Sequence, residues 1–265
     1  MNTSILLTND DGISSPGLAA MLDALATWAA VYVIAPASER SGAGCSVTLS
    51  EELESVPVHV PPAEAAWAIS GTPADAVKLG VSELVRDKID LVVSGINDGP
   101  NVGVNVFYSG TVAAAIEASA LGLPGVAVSL DRADRMDFAL AAELATPLIR
   151  ATSAKGLGRG SLININIPSR PRAEIGSPAL TRHGRAGFNE FYRPVGETDE
   201  PSSPGARRWR IDGEFSPGSE ADGNDAVVLA EGRISVTPME IDLTAGSFLT
   251  GQDGWEFLLD GQERS

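Results

Sequence analysis

The chain has one cysteine, Cys45, and two histidines, His59 and His183, among 265 residues. A single cysteine excludes an intrachain disulfide and a cysteine-rich zinc site. Both histidines stand far along the chain from the loops that carry the other polar signals. That argues against a Ser–His–Asp triad and against zinc held by histidines. Basic residues are scarce: 19 Lys and Arg against 35 Asp and Glu leave a net charge of −16. A general affinity for nucleic-acid polymers is therefore not expected. A small phosphorylated substrate stays open, because a bound metal can reverse the local field. No apolar run approaches the roughly 18–20 residues of a membrane span, so no membrane association is expected. The start of the chain lacks the basic opening and long apolar stretch of a signal peptide, and a cytoplasmic location is expected. No Gly-x-Gly-x-x-Gly follows the first apolar run and no Gly-x-x-x-x-Gly-Lys-Ser/Thr occurs, so neither a dinucleotide site nor a P-loop is supported. Internal repeats and coiled-coil heptads are missing too.

What remains is a chain long enough for one large α/β domain, or a domain with a sizeable appendage. Ile5 to Thr8 reads as a buried strand. Ser14-Ser15-Pro16 opens a helix whose apolar face is Leu18, Met21, Leu22 and Leu25. Val31 to Ala35 is the next strand, stopped by Pro36. Strand, helix and strand over about thirty residues make a βαβ unit with a parallel pair. Residues 47–71 read as short strands, and Thr72-Pro73-Ala74-Asp75 starts a helix with its own caps. Ile89 to Ile96 is apolar on both faces, as at a sheet centre. Gly125 to Leu130 is another strand, and Asp137 to Thr152 an amphipathic helix. Leu162 to Ile167 alternates apolar and polar residues, which suggests an edge strand or a face that meets polar surroundings. The fold class expected is α/β: a Rossmann-like, mostly parallel sheet flanked by helices over residues 1–168. Residues 169–224 are polar and read as an extended arm used in oligomerisation. Phe188 to Tyr192 starts the arm, Glu197 to Gly205 is its tip, and Trp209, Ile211 and Phe215 form the returning strand. Residues 225–265 are expected to pack back on the core, with a helix from Asp225 and a strand from Arg233 to Thr237.

Thr8-Asn9-Asp10-Asp11-Gly12 follows the first strand directly. Neighbours on an extended chain point to opposite sides, so two carboxylates meet one site only where the backbone turns, and Gly12 permits the turn. Two negative charges held together call for a cation, and oxygen ligands suit magnesium or manganese. Taken alone, the same residues read equally well as a helix-capping loop. Two further loops leave strands at the same sheet edge, where α/β sheets hold ligands. The first contains Ser41. The second, Asn97 to Thr111, is long for such a connection and carries Asn97 and Asn101. It ends in Ser109-Gly110-Thr111 before an Ala-rich helix, a start that offers hydroxyls, N–H groups and the positive helix end to an oxyanion. Ser109 as an ordinary cap competes with that reading. Together the inventory fits metal-assisted hydrolysis of a phosphomonoester. The aspartates are adjacent rather than one residue apart, so direct attack by water is favoured over an aspartyl-phosphate.

Six stretches then carry a resemblance. They are Leu7 to Gly12, Arg40-Ser41-Gly42, Ser70 to Asp75, Ser94 to Asn97 with Gly99-Pro100-Asn101, Tyr108 to Ala115, and Ser235 to Pro238. In this order and spacing the chain resembles the SurE family, the survival-protein E nucleotidases, from end to end. The resemblance implies a phosphatase that depends on one divalent cation per subunit, Mg2+ or Mn2+. Its substrates would be nucleoside 5′- and often 3′-monophosphates, sometimes polyphosphate. It implies metal ligands at Asp10, Asp11, Ser41 and Asn97, with one of the two aspartates activating the water. Phosphate contacts fall at Asn101, Ser109, Gly110 and Thr111, and the hairpin arm builds a dimer or tetramer. Val104-Asn105 departs from the acidic residue many members carry, and Arg207-Arg208-Trp209-Arg210 from their aromatic-rich arm. A nucleotide-binding module without turnover and another metal phosphohydrolase are the competing readings.

Overall fold

The computed structural model describes residues 3–195, 207–216 and 223–244. Strand β1 (Thr3–Thr8) lies between β2 (Ala29–Pro36) and β5 (Leu91–Asp98), parallel to both. On the β2 side follow β4 (Ala65–Ile69), parallel, and β3 (Ser55–Val58), antiparallel to β4. On the β5 side follow β6 (Gly125–Leu130) and β7 (Ser161–Ile167), both parallel. β11 (Arg233–Glu240) then runs antiparallel to β7, and β8 (Gly176–Leu180) closes the nine-stranded sheet beside β11. Chain direction across the sheet reverses at β1 and β5. That switch point is where α/β sheets open a crevice beyond the carboxyl ends of their strands.

Helices cover both faces. α1 (Pro16–Leu25) and α4 (Phe138–Lys155) bury Leu18, Met21, Leu22, Ala141 and Ile149 against Ile5, Leu7, Val33 and Val93. α2 (Pro73–Leu79) and α3 (Gly110–Ala120) bury Ala76, Val77, Ala114 and Ala118 against Leu6, Ile34 and Val92 on the other face. Strands buried on both faces explain the unbroken apolar runs of β1 and β5. α1 begins as its sequence dictates: Ser15 caps it by accepting from Leu18 N, and Pro16 occupies the first turn. α2 carries a full capping box, with Thr72 and Asp75 bonding each other's backbone N–H. Asp75 also accepts from Thr48 N at 3.0 Å and from Thr48 Oγ1 at 2.7 Å, which ties the loop after β2 to the helix start.

Several sequence expectations need correction. β2 includes Pro36 instead of stopping before it. β7 is no edge strand, because β6 and β11 flank it on either side. Its polar alternation has the other meaning: Asn164 and Asn166 are fully buried and face polar partners. β11 runs through Pro238 to Glu240 instead of ending at Thr237. β8 lies inside the stretch read as an arm yet belongs to the main sheet. The hairpin itself is β9 (Gly187–Pro194) paired antiparallel with β10 (Trp209–Ser216), with Tyr192 opposite Ile211 and Phe188 opposite Phe215. The expected tip, Glu197 to Gly205, and residues 245–265 lie outside the described residues. α5 (Asp225–Ala230) leads into β11, as expected. Among the described residues no helix is long and apolar enough to cross a membrane.

Candidate active site

The turn after β1 is held from inside. Asn9 is fully buried, and its Nδ2 donates to Gly12 O at 3.1 Å and to Ser15 Oγ at 2.6 Å. Gly12 takes φ +97°, a conformation glycine alone adopts easily, with the Ser38 backbone 3.3 Å from where a Cβ would sit. Asp10 is 4% exposed. Its Oδ1 accepts from Thr111 Oγ1 at 2.5 Å, and its carbonyl accepts from Arg40 N at 2.7 Å. Burial pushes the Asp10 carboxyl above its ordinary value. The Thr111 hydroxyl and the backbone N–H groups of Thr111 and Gly110 oppose that rise without cancelling it. Gly110 leaves no room for a side chain: a Cβ there would stand 2.8 Å from Asp10 Cβ. The start of α3 is thus pressed directly onto the Asp10 carboxylate.

Asp11 is half-buried, and its carboxyl is pushed up to about 6, first by burial and then by the negative charge of Asp10. Its Oδ2 accepts from Asp98 N at 3.3 Å, which links the β1 and β5 loops. Asn97 donates its Nδ2 to Gly99 O at 2.7 Å, leaving the side-chain oxygen as the atom to offer a cation. Ser41 is exposed and donates its hydroxyl to Glu39 Oε1 at 2.7 Å, so its lone pairs stay open. Ser109 caps α3 by accepting from Val112 N at 3.1 Å, and its O–H proton remains to donate. Both readings of Ser109 are therefore compatible.

Asp10, Ser41, Asn97, Asn101 and Ser109 line one pocket of about 550 Å³ at the switch point. Asp11 lines an adjoining cleft of about 300 Å³, and Asp98 borders both. Thr111 is fully buried, and neither it nor Gly110 lines the pocket; the Thr111 hydroxyl serves Asp10. Larger cavities of about 710 and 820 Å³ flank α4, but none of these residues lines them.

Asn101 is held by a network that sequence reading missed. Its N–H donates to Asn166 Oδ1 at 2.7 Å, and its carbonyl accepts from Asn164 Nδ2 at 2.7 Å and Asn166 Nδ2 at 3.1 Å. Its side chain meets Ser129 Oγ at 2.9 Å. The polar alternation of β7 was the available signal. Asp225, fully buried, accepts from Gly103 N and Gly184 N at 3.0 Å each, and so holds the rest of the long loop. Also unforeseen at the pocket are Asp98, Arg132 and the hairpin pair Tyr192 and Ile211.

Among the described residues no group of three His, Cys, Asp or Glu side chains is placed to hold a metal. Two carboxylates with neutral oxygens from Asn97 and Ser41 form a different donor set, all oxygen, of the kind magnesium and manganese take. The upward shifts at Asp10 and Asp11 fit this set, since an unneutralised buried pair resists ionisation and a cation relieves it.

Known proteins resemble this chain over nearly its whole length. The family model described as "Survival protein SurE" matches residues 5–190. A protein named 5′-nucleotidase SurE from Desulfatibacillum aliphaticivorans is 42% identical over 252 residues, covering 95% of this chain and 98% of that one. Its namesake from Rhodopirellula baltica is 40% identical over 253 residues, with 95% and 98% covered. The crystal structure of SurE from Aquifex aeolicus superposes with a TM-score of 0.80 at 32% identity, covering 97% of this chain and all of that one. Motifs, sheet topology and relatives agree, and the chain belongs to the SurE family.

Proposed function

We propose that the protein is a divalent-metal-dependent 5′-nucleotidase that hydrolyses nucleoside monophosphates to nucleoside and phosphate. The names of its relatives support the substrate class. The observation that carries the reading is the contact between Asp10 and the start of α3. It supports a pocket in which Asp10, one of an adjacent carboxylate pair suited to a cation, shares a wall with Ser109 and Asn101, which suit a phosphate. A binding module has no use for two carboxylates beside a phosphate, since they repel it.

Asp10, Asp11, Asn97 and Ser41 would hold the cation. When bound, it would polarise the phosphoryl group and make a water acidic enough to act as nucleophile. The remaining work belongs to the chain. Thr111 and Gly110 fix the Asp10 carboxylate. Ser109, with its lone pair engaged by Val112 N, donates its proton to a phosphate oxygen. Asn101 offers its side-chain amide to a second oxygen, with Ser129 and the β7 asparagines holding it still. One carboxylate of the pair takes the proton of the attacking water. Tyr192 and Ile211 close the outer wall of the pocket. Phe191 and Trp209 on the same hairpin, each about half exposed, suit self-association to a dimer or tetramer.

The test is phosphate release from nucleoside 5′- and 3′-monophosphates and polyphosphate, each with magnesium, manganese and chelator. Release from 5′-monophosphates that chelation abolishes is expected. Asp11→Asn should cut turnover at least about a hundredfold, the scale of losing one group aimed at transition-state charge, with the fold intact. Nucleotide binding without phosphate release under any metal would refute the proposal.

A further inference from the structure

The mouth of the pocket carries an excess of negative charge. Asp10 and Asp98 line it, and Asp11 is bonded to the Asp98 backbone alongside. A divalent cation at Asp10 and Asp11 offsets two of these three charges. The third, on Asp98, still faces an anionic substrate on a chain of net charge −16. Among the described residues that line the pocket, Arg132 alone is basic. It stands two residues beyond the end of β6.

Arg132 is held loosely. Its Nε lies 3.6 Å from Asp98 Oδ1, and its Nη2 donates to Asp98 O at 3.4 Å. Both distances are long for charge-assisted bonds, and the side chain is 74% exposed. A Cβ on Gly99 would come within 3.0 Å of Nε, so the guanidinium lies against bare backbone. Two arginines of the neighbouring cavity are better engaged: Arg172 pairs with Glu143 at 2.7 Å, and Arg170 donates to Ala230 O at 2.7 Å.

We propose that Arg132 is a specificity-determining residue that leaves Asp98 for the phosphate of the incoming substrate. The inference rests on the phosphatase reading above and names the group that recruits the anion. The planar guanidinium matches two phosphate oxygens at once, which a lysine cannot do. The contact forms in the ground state and persists in the transition state, so it sets KM and leaves kcat nearly untouched.

Arg132→Gln is expected to raise KM for a nucleoside 5′-monophosphate about tenfold, the low end for a hydrogen bond to a charged group, with kcat within about twofold. Arg132→Lys should fall between the two. The double variant Asp98→Asn/Arg132→Gln keeps the net charge of the pocket but lacks the guanidinium, and its KM should stay high. A return to the wild-type KM in that double variant would show that Arg132 only neutralises Asp98, and would overturn the proposal. An unchanged KM in Arg132→Gln would overturn it too, as would a fall in kcat with a lower melting temperature, which marks a structural role. Calorimetric binding of inorganic phosphate with manganese present separates this inference from the activity. Binding about tenfold weaker in Arg132→Gln supports the contact even where no nucleotide is hydrolysed. Equal binding removes it even where nucleotides are good substrates.

Discussion

Gly110 and Asp10 leave each other no spare space. A methyl group on Gly110 would stand 2.8 Å from Asp10 Cβ and 2.9 Å from Oδ2. Asp10 has little freedom to retreat, because Thr111 holds its carboxylate and Arg40 N holds its carbonyl. Gly110→Ala is therefore expected to cost about 1–3 kcal/mol of stability, the usual range for overpacking. Phosphate release should fall about a hundredfold, as small displacements of a reacting group do. Urea unfolding and turnover measured together check this, and near-normal turnover would show that Asp10 does not need its present position. The residue types here were legible in the sequence: an Asp pair after a strand and a Ser-Gly-Thr helix start. Their pairing was not. A Ser-Gly-Thr start offers donors to any anion, and spacing does not tell whether that anion is a ligand or a carboxylate of the same chain. The structure gives the Thr111 hydroxyl to Asp10.

β7 shows the same division at the scale of an element. Its alternation of apolar and polar residues marked one polar face. Whether the strand lay at an edge depended on β11, which arrives more than sixty residues later, and what its polar face met depended on Asn101, more than sixty residues earlier. Local pattern carries no information about such a distant partner. β8 was missed for a related reason, since Pro178 reads against a strand and is tolerated here at the sheet edge. β1, β5 and β6 were legible because burial on both faces writes itself as an apolar run. The asparagines of β7 have a consequence for the site. Asn166 accepts from Asn101 N and donates to Asn101 O, both buried. Asn166→Ala leaves that N–H without its partner, at an expected cost of about 1–3 kcal/mol. With Asn101 less well placed, the KM of the nucleotide should rise by more than kcat falls. A variant with lower stability and unchanged KM would make the network purely structural.

For the molecule as a whole, the proposed cation site would couple stability to cation binding through the same two aspartates. Without a cation, the Asp11 carboxyl titrates near 6 because burial and Asp10 both disfavour its charge. A raised value means that the protonated form suits the fold. That contribution is complete below the ordinary value of 3.8 and is lost as pH rises through about 6. A divalent cation held as proposed would bind the ionised pair, so protons would compete with it below about pH 6. Added at 100 times its dissociation constant, a ligand of the folded state contributes about 2.7 kcal/mol, or about 5–10 °C in melting temperature at the usual sensitivity of a domain this size. Manganese or magnesium is therefore expected to raise Tm by that much at pH 7.5 and by much less at pH 5. The net charge of −16 supplies a competing cause, since any cation screens the self-repulsion of the fold. Monovalent salt at matched ionic strength measures that part, and Asp11→Asn removes the specific part. An equal shift at both pH values, or the full shift in Asp11→Asn, would assign the stabilisation to general screening and take the cation away from Asp10 and Asp11.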